Sequence, residues 1–262
     1  MGKFAVILPA AGRSARFGDP KQKKIYAELD GRAVWLRAVE PFVNRDDVAQ
    51  IILAIASEDR ERFERRYRPS VAFMNITIVE GGPERCDTVA RALEVVTETC
   101  DYVAVHDAAR PCLSAALIEA VFAAAKAHGA ALLAIPVSET IKRAEGEFTG
   151  ETVSRAGLYL AQTPQAFKRS LLCEAYAARS QAQGPITDDC QLIEALGHRC
   201  AIVLGSPLNI KITTPLDLKL AAAFLPLLEK PRRASSAHPF LDEQAMWNEL
   251  PKLKPSDLFG ST

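Results

Sequence analysis

Short apolar runs alternate with amphipathic stretches from the start of the chain to residue 228, the pattern of a sheet covered by helices on both faces. The runs are Phe4 to Leu8, Ile51 to Ile55, Ile76 to Val79, Tyr102 to Val105 and Ala130 to Val137. Each is continuous rather than alternating, which predicts strands buried on both faces, as in a parallel sheet. Two shorter runs, Cys200 to Leu204 and Asn209 to Ile212, read as further strands. Helices are expected at about 32–43, 58–67, 84–98, 114–128, 168–182 and 188–196. A last helix runs from Pro215 to Leu228, with Thr214 a fair N-cap and Pro215 suited to the first turn.

Residues 138–160 break this rhythm. Ser138 to Ala144 and Glu151 to Leu160 flank Glu145-Gly146-Glu147, and alternating apolar positions in a polar segment suggest an antiparallel excursion from the main sheet. Composition alone divides evenly between a hairpin arm and a long surface loop; the arm is the expectation. From Glu229 to Pro239 the chain turns to Lys, Arg, Ser and Pro, as linkers do. Residues 240–262 carry Phe240, Leu241, Met246, Trp247, Leu250, Leu253, Leu258 and Phe259, which suits a docked extension better than a free tail. The expected organisation is one domain over 1–228, then a linker and extension over 229–262.

Composition narrows the class of partner. Lys plus Arg and Asp plus Glu each number 32, so no global basic field draws the chain to nucleic acid or anionic lipid, and any anion must be held by locally placed charge. The six cysteines never form Cys-x-x-Cys, and no His lies within five residues of another, which argues for reduced, packed thiols rather than a zinc site. The first apolar run is too short for a signal peptide or for the ~20 residues that span a bilayer. A cytoplasmic protein without a membrane anchor is expected.

The first strand runs into Pro9-Ala10-Ala11-Gly12-Arg13-Ser14-Ala15-Arg16-Phe17-Gly18-Asp19-Pro20-Lys21-Gln22. A loop after the first strand of a parallel sheet lies at the carboxyl edge, where such folds bind ligands. Small residues at 10–12 let backbone N–H groups approach a nucleotide, and Arg16 and Lys21 can neutralise phosphates. The loop matches neither standard nucleotide motif: Ser14 and Phe17 break the dinucleotide fingerprint, and the Walker spacing lacks its Gly-Lys pair. Asp107 and Arg110 follow the fourth strand at the same edge, where a helix cap and a surface charge are the plain alternatives. Lys211 ends a short apolar strand, an unusual place for Lys unless it meets an anion. His106, alone at a strand end, reads as a packed structural residue rather than a base.

The opening loop is joined by Glu80-Gly81-Gly82-Pro83-Glu84-Arg85, His106-Asp107-Ala108-Ala109-Arg110-Pro111, Thr163-Pro164-Gln165, Ile186-Thr187-Asp188-Asp189 and Asn209-Ile210-Lys211-Ile212-Thr213. In that order and spacing the chain closely resembles the 2-C-methyl-D-erythritol 4-phosphate cytidylyltransferase family over about residues 3–228. His-Asp-Ala-Ala-Arg-Pro with Asn-Ile-Lys-Ile-Thr is the specific pair; the first loop is shared with many sugar nucleotidyltransferases. The chain departs from the family pattern at Ser14, Pro83 and Thr88.

The resemblance implies an α/β fold, a Rossmann-like, mostly parallel sheet flanked by helices with a protruding antiparallel β-arm. It implies a nucleotidyltransferase of non-mevalonate isoprenoid synthesis that joins CTP to a sugar-alcohol phosphate and releases pyrophosphate, with Mg²⁺ held chiefly by the triphosphate. Ala10, Ala11 and Gly12 would present backbone to CTP, Arg16 and Lys21 grip its triphosphate, and Gly81, Gly82 and Thr88 border the cytosine. Asp107, Arg110 and Lys211 would lie beside the sugar phosphate and the triphosphate. The 138–160 arm would cross to a second subunit, so that Thr140 and Arg155 hold substrate phosphate in the partner's site. Two alternatives stay open at this point: a cytidylyltransferase for ribitol 5-phosphate, and a silent nucleotide-binding relative.

Overall fold

In β1 (Phe4–Pro9) the side chains of Phe4, Val6 and Leu8 enter one core and those of Ala5 and Ile7 another, all fully buried. This is why the run is continuous: both faces of the strand are covered, so no position calls for a polar residue. The computed structural model describes residues 2–12, 14, 17–18, 23–181 and 184–228. The chain separates into two units, Met1–Glu229 and Lys230–Thr262; the second, with the expected linker and docked extension, lies outside the described residues.

The remaining strands are β2 (Glu28–Leu29), β3 (Arg32–Ala33), β4 (Val48–Ile55), β5 (Ile76–Glu80), β6 (Tyr102–Val105), β7 (Ala130–Pro136), β8 (Ile141–Glu145), β9 (Phe148–Val153), β10 (Tyr159–Lys168) and β11 (Ala201–Leu204). The helices are α1 (Val34–Val39), α2 (Arg60–Phe73), α3 (Arg85–Leu93), α4 (Ala115–His128), α5 (Arg169–Ala177), α6 (Asp189–Ala195) and α7 (Pro215–Phe224). Seven strands form one sheet in the order β11-β7-β10-β6-β1-β4-β5. β1 pairs in parallel with β4 and β6, β4 with β5, and β11 with β7, while β10 runs antiparallel between β6 and β7.

One face of the sheet packs on Trp35, Phe63, Tyr67, Ile118 and Phe122 of α1, α2 and α4. The other packs on Val89, Leu172 and Ile193 of α3, α5 and α6. At roughly 1.5–3 kcal/mol for each fully buried large aliphatic or aromatic side chain, these two layers supply the main favourable contribution to folding. From β1 the chain steps outward through β4 to β5, then returns to place β6 on the opposite side of β1. The strand order reverses there, and a crevice opens beyond the carboxyl ends of β1 and β6.

β8 and β9 make a separate antiparallel ribbon, Ile141 paired with Val153, whose residues are mostly exposed. The mostly parallel sheet with an antiparallel arm is therefore present, with the second arm strand at Phe148–Val153 rather than 151–160. Three further expectations need correction. β10 has no counterpart among the expected elements, which leave residues 161–167 unassigned; its pairing with β7 shifts register between Ala161 and Gln165, the kind of irregularity at which a sheet tolerates proline. The helix expected from 32 begins at Val34, because Asp30 and Gly31, both at positive φ, turn a short β2–β3 hairpin first. Asn209 to Ile212 is an irregular strap, not a strand: Ile212 donates its N–H to the Ala109 carbonyl at 2.8 Å, and the buried Asn209 amide donates to the Thr163 carbonyl at 2.9 Å.

The six cysteines are unpaired, with Cys86, Cys100, Cys112 and Cys190 buried. No described helix is long and apolar enough to cross a membrane.

Candidate active site

A cleft of about 470 Å³ opens at the carboxyl edge of the sheet. Its walls are the turn after β1 (Ala10, Ala11 and Gly12), the turn after β5 (Gly81 and Gly82), and Asp107 to Ala109 after β6, with Lys211 reaching in from the strap. Arg16 and Lys21 lie outside the described residues. Where the first loop is described, Ser14 adopts a φ of 55°, the left-handed region that favours glycine, and its hydroxyl accepts the Lys24 N–H at 3.2 Å.

Two glycines let the walls approach. A Cβ on Gly81 would collide with the Ala11 side chain and crowd Thr88, and one on Gly82 would collide with Asp87. The Thr88 hydroxyl is committed to this turn: it accepts the Gly82 N–H at 3.0 Å and donates to the Glu84 carbonyl at 2.9 Å. Thr88 lines the cleft while fastening the turn that shapes it. Arg91, which the sequence did not single out, donates to the Gly81 carbonyl at 2.7 Å and also lines the cleft.

The electrostatic centre is Asp107. Its Oδ2 stands 2.9 Å from Lys211 Nζ and 3.4 Å from Arg110 Nε, while Oδ1 faces Arg85 Nε at 3.7 Å. Burial alone would raise this carboxyl's pKa, but Lys211, Arg85 and Arg110 overcome that and hold it far below the ordinary carboxylate range. It is an ion-paired carboxylate at the end of β6, not a helix cap. Arg110 lies behind it rather than on the surface, donating to the Asn209 carbonyl at 2.7 Å.

His106 is fully buried, with Nε2 3.1 Å from the Arg110 carbonyl and Nδ1 3.1 Å from the Thr163 hydroxyl. Burial pushes its pKa down to about 4, so it is a neutral strut at pH 7, as its lone position suggested. The Thr163 hydroxyl also accepts the Asp107 N–H at 3.0 Å, which explains the Thr163-Pro164-Gln165 segment: it braces the β6 turn. Thr140 lies just before β8 and Arg155 just after β9, both exposed; neither lines the cleft of its own chain. Arg155 donates to the Ser138 carbonyl.

Glu58, Glu84 and Asp107 line this cleft, and Asp107 can still offer Oδ1 to a hard cation, since Arg85 Nε stands at 3.7 Å, beyond hydrogen-bond distance. The cluster of Glu84, Cys86 and Asp87 contains a thiol, which does not suit Mg²⁺.

The family model described as IspD, 2-C-methyl-D-erythritol 4-phosphate cytidylyltransferase, matches residues 4–226. A protein of Rhodopirellula baltica with that name is 42% identical over 232 residues, covering 84% of this chain and 94% of that protein. Another from Bacillus cytotoxicus is 38% identical over 222 residues, covering 85% and 97%. Among solved structures, the crystal structure of 2-C-methyl-D-erythritol 4-phosphate cytidylyltransferase from Thermus thermophilus superposes with a TM-score of 0.70 at 34% identity, covering 84% of this chain and 98% of that one. With the family match spanning the whole sheet and every wall of the cleft, the chain belongs to the 2-C-methyl-D-erythritol 4-phosphate cytidylyltransferase family.

Proposed function

We propose that the protein joins CTP and 2-C-methyl-D-erythritol 4-phosphate to give 4-diphosphocytidyl-2-C-methyl-D-erythritol and pyrophosphate, in non-mevalonate isoprenoid precursor synthesis. Family membership favours this reaction over ribitol 5-phosphate as acceptor and over a silent relative. The observation that carries the reading at the level of chemistry is the convergence of Lys211, Arg110 and Arg85 on Asp107, opposite two backbone turns that glycine keeps open. Such a cleft receives polyanions.

A phosphate oxygen of methylerythritol phosphate forms a bond to the α-phosphorus of CTP, and the bond from that phosphorus to the α,β-bridging oxygen breaks, its electron pair leaving with pyrophosphate. The nucleophile arrives anionic, so no protein base is required, and His106, buried with both ring nitrogens occupied, is not placed to act as one. Catalysis then rests on in-line alignment and on charge placed where it develops. Arg16, Lys21 and Lys211 are the proposed charge-stabilising residues. Ala10, Ala11 and Gly12 offer backbone to the nucleotide, and the Gly81-Gly82 turn and Thr88 border the cytosine. Asp107, paired in turn with Arg110, holds Lys211 toward the sugar phosphate. Asp107 would help to hold a Mg²⁺ otherwise carried by the triphosphate; when bound, the ion neutralises phosphoryl charge.

A homodimer through the 138–160 arm completes the proposal. A two-stranded ribbon is marginal alone in water, and Phe148 at 79% and Leu160 at 55% exposure call for a covering surface. A two-fold partner supplies one and brings Thr140 and Arg155 to the neighbouring cleft. Six unpaired thiols suit a reducing, cytoplasmic setting.

The test is pyrophosphate release with Mg²⁺, comparing CTP with ATP and methylerythritol phosphate with ribitol 5-phosphate. Turnover is expected with CTP and methylerythritol phosphate. Equal turnover with ATP would overturn the base assignment, and preference for ribitol 5-phosphate the acceptor.

A further inference from the structure

Arg85 lines the cleft beside Asp107, and beneath it lies a buried acid–phenol pair that no step of the reaction uses directly. The Arg85 guanidinium, at the first residue of α3, donates from Nη2 to Asp189 Oδ2 at 2.7 Å while its Nε faces Asp107 Oδ1. Asp189 is fully buried, and its other oxygen, Oδ1, accepts the Tyr176 hydroxyl at 2.5 Å. Burial and the Asp189 charge push the Tyr176 phenol well above its ordinary pKa, so it remains a donor.

Enclosing a carboxylate completely is costly unless every partner is well placed, and its use here is not to start α6. Capping of α6 is already provided by neighbouring residues: Asp188 accepts the Gln191 N–H at 3.0 Å, and the Gln165 side-chain Oε1 accepts the N–H groups of Asp189 and Cys190. Both Asp189 oxygens are left for Tyr176 and Arg85. Asp189 thereby neutralises Arg85, and Asp107 keeps Oδ2 for Lys211 and Arg110, leaving one excess positive charge toward the cleft.

We propose that Asp189 and Tyr176 are positioning residues for cytidylyl transfer: they hold Arg85 against Oδ1 of Asp107, and so fix the carboxylate that aims Lys211. The inference rests on the reaction proposed above. Without the Asp189 charge, Arg85 competes for Asp107, the carboxylate turns, and Lys211 loses its aim. Binding of the polyanionic nucleotide is not weakened, because the cleft has become more positive. The expected signature is a loss in kcat without a rise in KM.

The experiment compares wild type, Asp189→Asn, Tyr176→Phe and Asp188→Ala by pyrophosphate release over a range of CTP concentrations at saturating methylerythritol phosphate, alongside thermal melts. Misplacing a reacting group by about 1 Å can cost ~10²-fold, so Asp189→Asn should lower kcat by roughly 10- to 100-fold with KM for CTP unchanged or lower. Tyr176→Phe, which keeps the ring, should show the same pattern at roughly 3- to 10-fold. Asp188→Ala should melt about 2–4 °C lower through loss of the α6 cap, yet keep its kcat. Near-normal kcat in Tyr176→Phe and Asp189→Asn would overturn the proposal, as would an equal loss in Asp188→Ala. If Asp189→Asn does not fold, Tyr176→Phe decides alone. Absence of turnover in wild type would overturn the reaction reading, and this inference with it, a result distinct from active wild type with unaffected variants.

Discussion

Lys211 Nζ stands 2.9 Å from Asp107 Oδ2, joining the strap that precedes α7 to the end of β6. The lysine is half-exposed and the aspartate buried, so the pair presents a cation to the cleft while its counter-charge stays behind. A carboxylate shared with Arg110 and Arg85 fixes where the ammonium stands before any substrate arrives. Such preorganisation is what a reaction without a protein base needs.

Replacing Lys211 by Ala should therefore lower kcat by roughly 10²-fold or more, the scale for loss of one preorganised charge-stabilising donor. Melting should change little, because Asp107 keeps two other cations. Steady-state kinetics of the folded variant decide it: near-wild-type kcat would take Lys211 out of the reaction.

The proposed shared site makes a stricter demand. Arg155→Ala and Lys21→Ala subunits should each be inactive as homodimers, but a hybrid of the two should regain turnover at one site, which then holds both intact residues. Co-expression with different tags, purification of the doubly tagged dimer and turnover per site provide the measurement. A folded hybrid with no activity would show that Arg155 does not serve its neighbour.

Gly81→Ala places a methyl group against Ala11 and Thr88, neither of which can retreat cheaply from a packed turn. The expected outcome is a rise in KM for CTP together with a loss of kcat/KM of roughly tenfold or more, since the two walls of the nucleotide cleft are forced apart. A Gly81→Ala protein with unchanged kinetics would mean that the close approach of the turns is not used in binding.

Stability should carry an acid-side signature from α7. Asp217 accepts the Thr213 hydroxyl at 2.6 Å and the N–H groups of Thr213 and Thr214 at 2.8 Å, which outweigh the opposing effect of burial and bring its pKa down to about 2. A carboxyl with a lowered folded pKa stabilises above its unfolded value of 3.8, and that contribution is lost as pH falls through about 2. Asp217→Ala should melt about 2–4 °C below wild type at pH 7, with the gap narrowing from pH 4 to pH 3. A constant gap across that range would exclude the ionised cap.

Much of this fold is legible in the sequence. β1, β6 and α4 lie within a residue of their sequence expectations because a strand covered on both faces is continuously apolar, and a helix with a Ser114 cap and a Gly129 terminus carries its own punctuation. Asp107 and the first loop were legible as short motifs after strands, where an α/β sheet must hold its ligand, and the Gly81-Gly82 turn through the family resemblance, whereas the strand expected under Lys211 is a strap. β10 was hidden because three of its six buried positions, Gln162, Thr163 and Gln165, are polar, and their partners are remote in sequence.

By itself, then, the sequence determined the alternation of strands and helices, the cleft edge and the chemical kinds of residue that line it, since each follows from local periodicity and short-range spacing. Only the tertiary structure decided that Asn209 to Ile212 is a strap, that Arg110 stands behind Asp107, and that Asp189 and Tyr176 lie beneath Arg85 in the cleft wall. Those outcomes depend on which carboxylate each cation meets. Such pairings are made between segments as distant as Arg85 and Asp189, and the free energy of a buried charge is set by the partners folding brings to it, which no local pattern records.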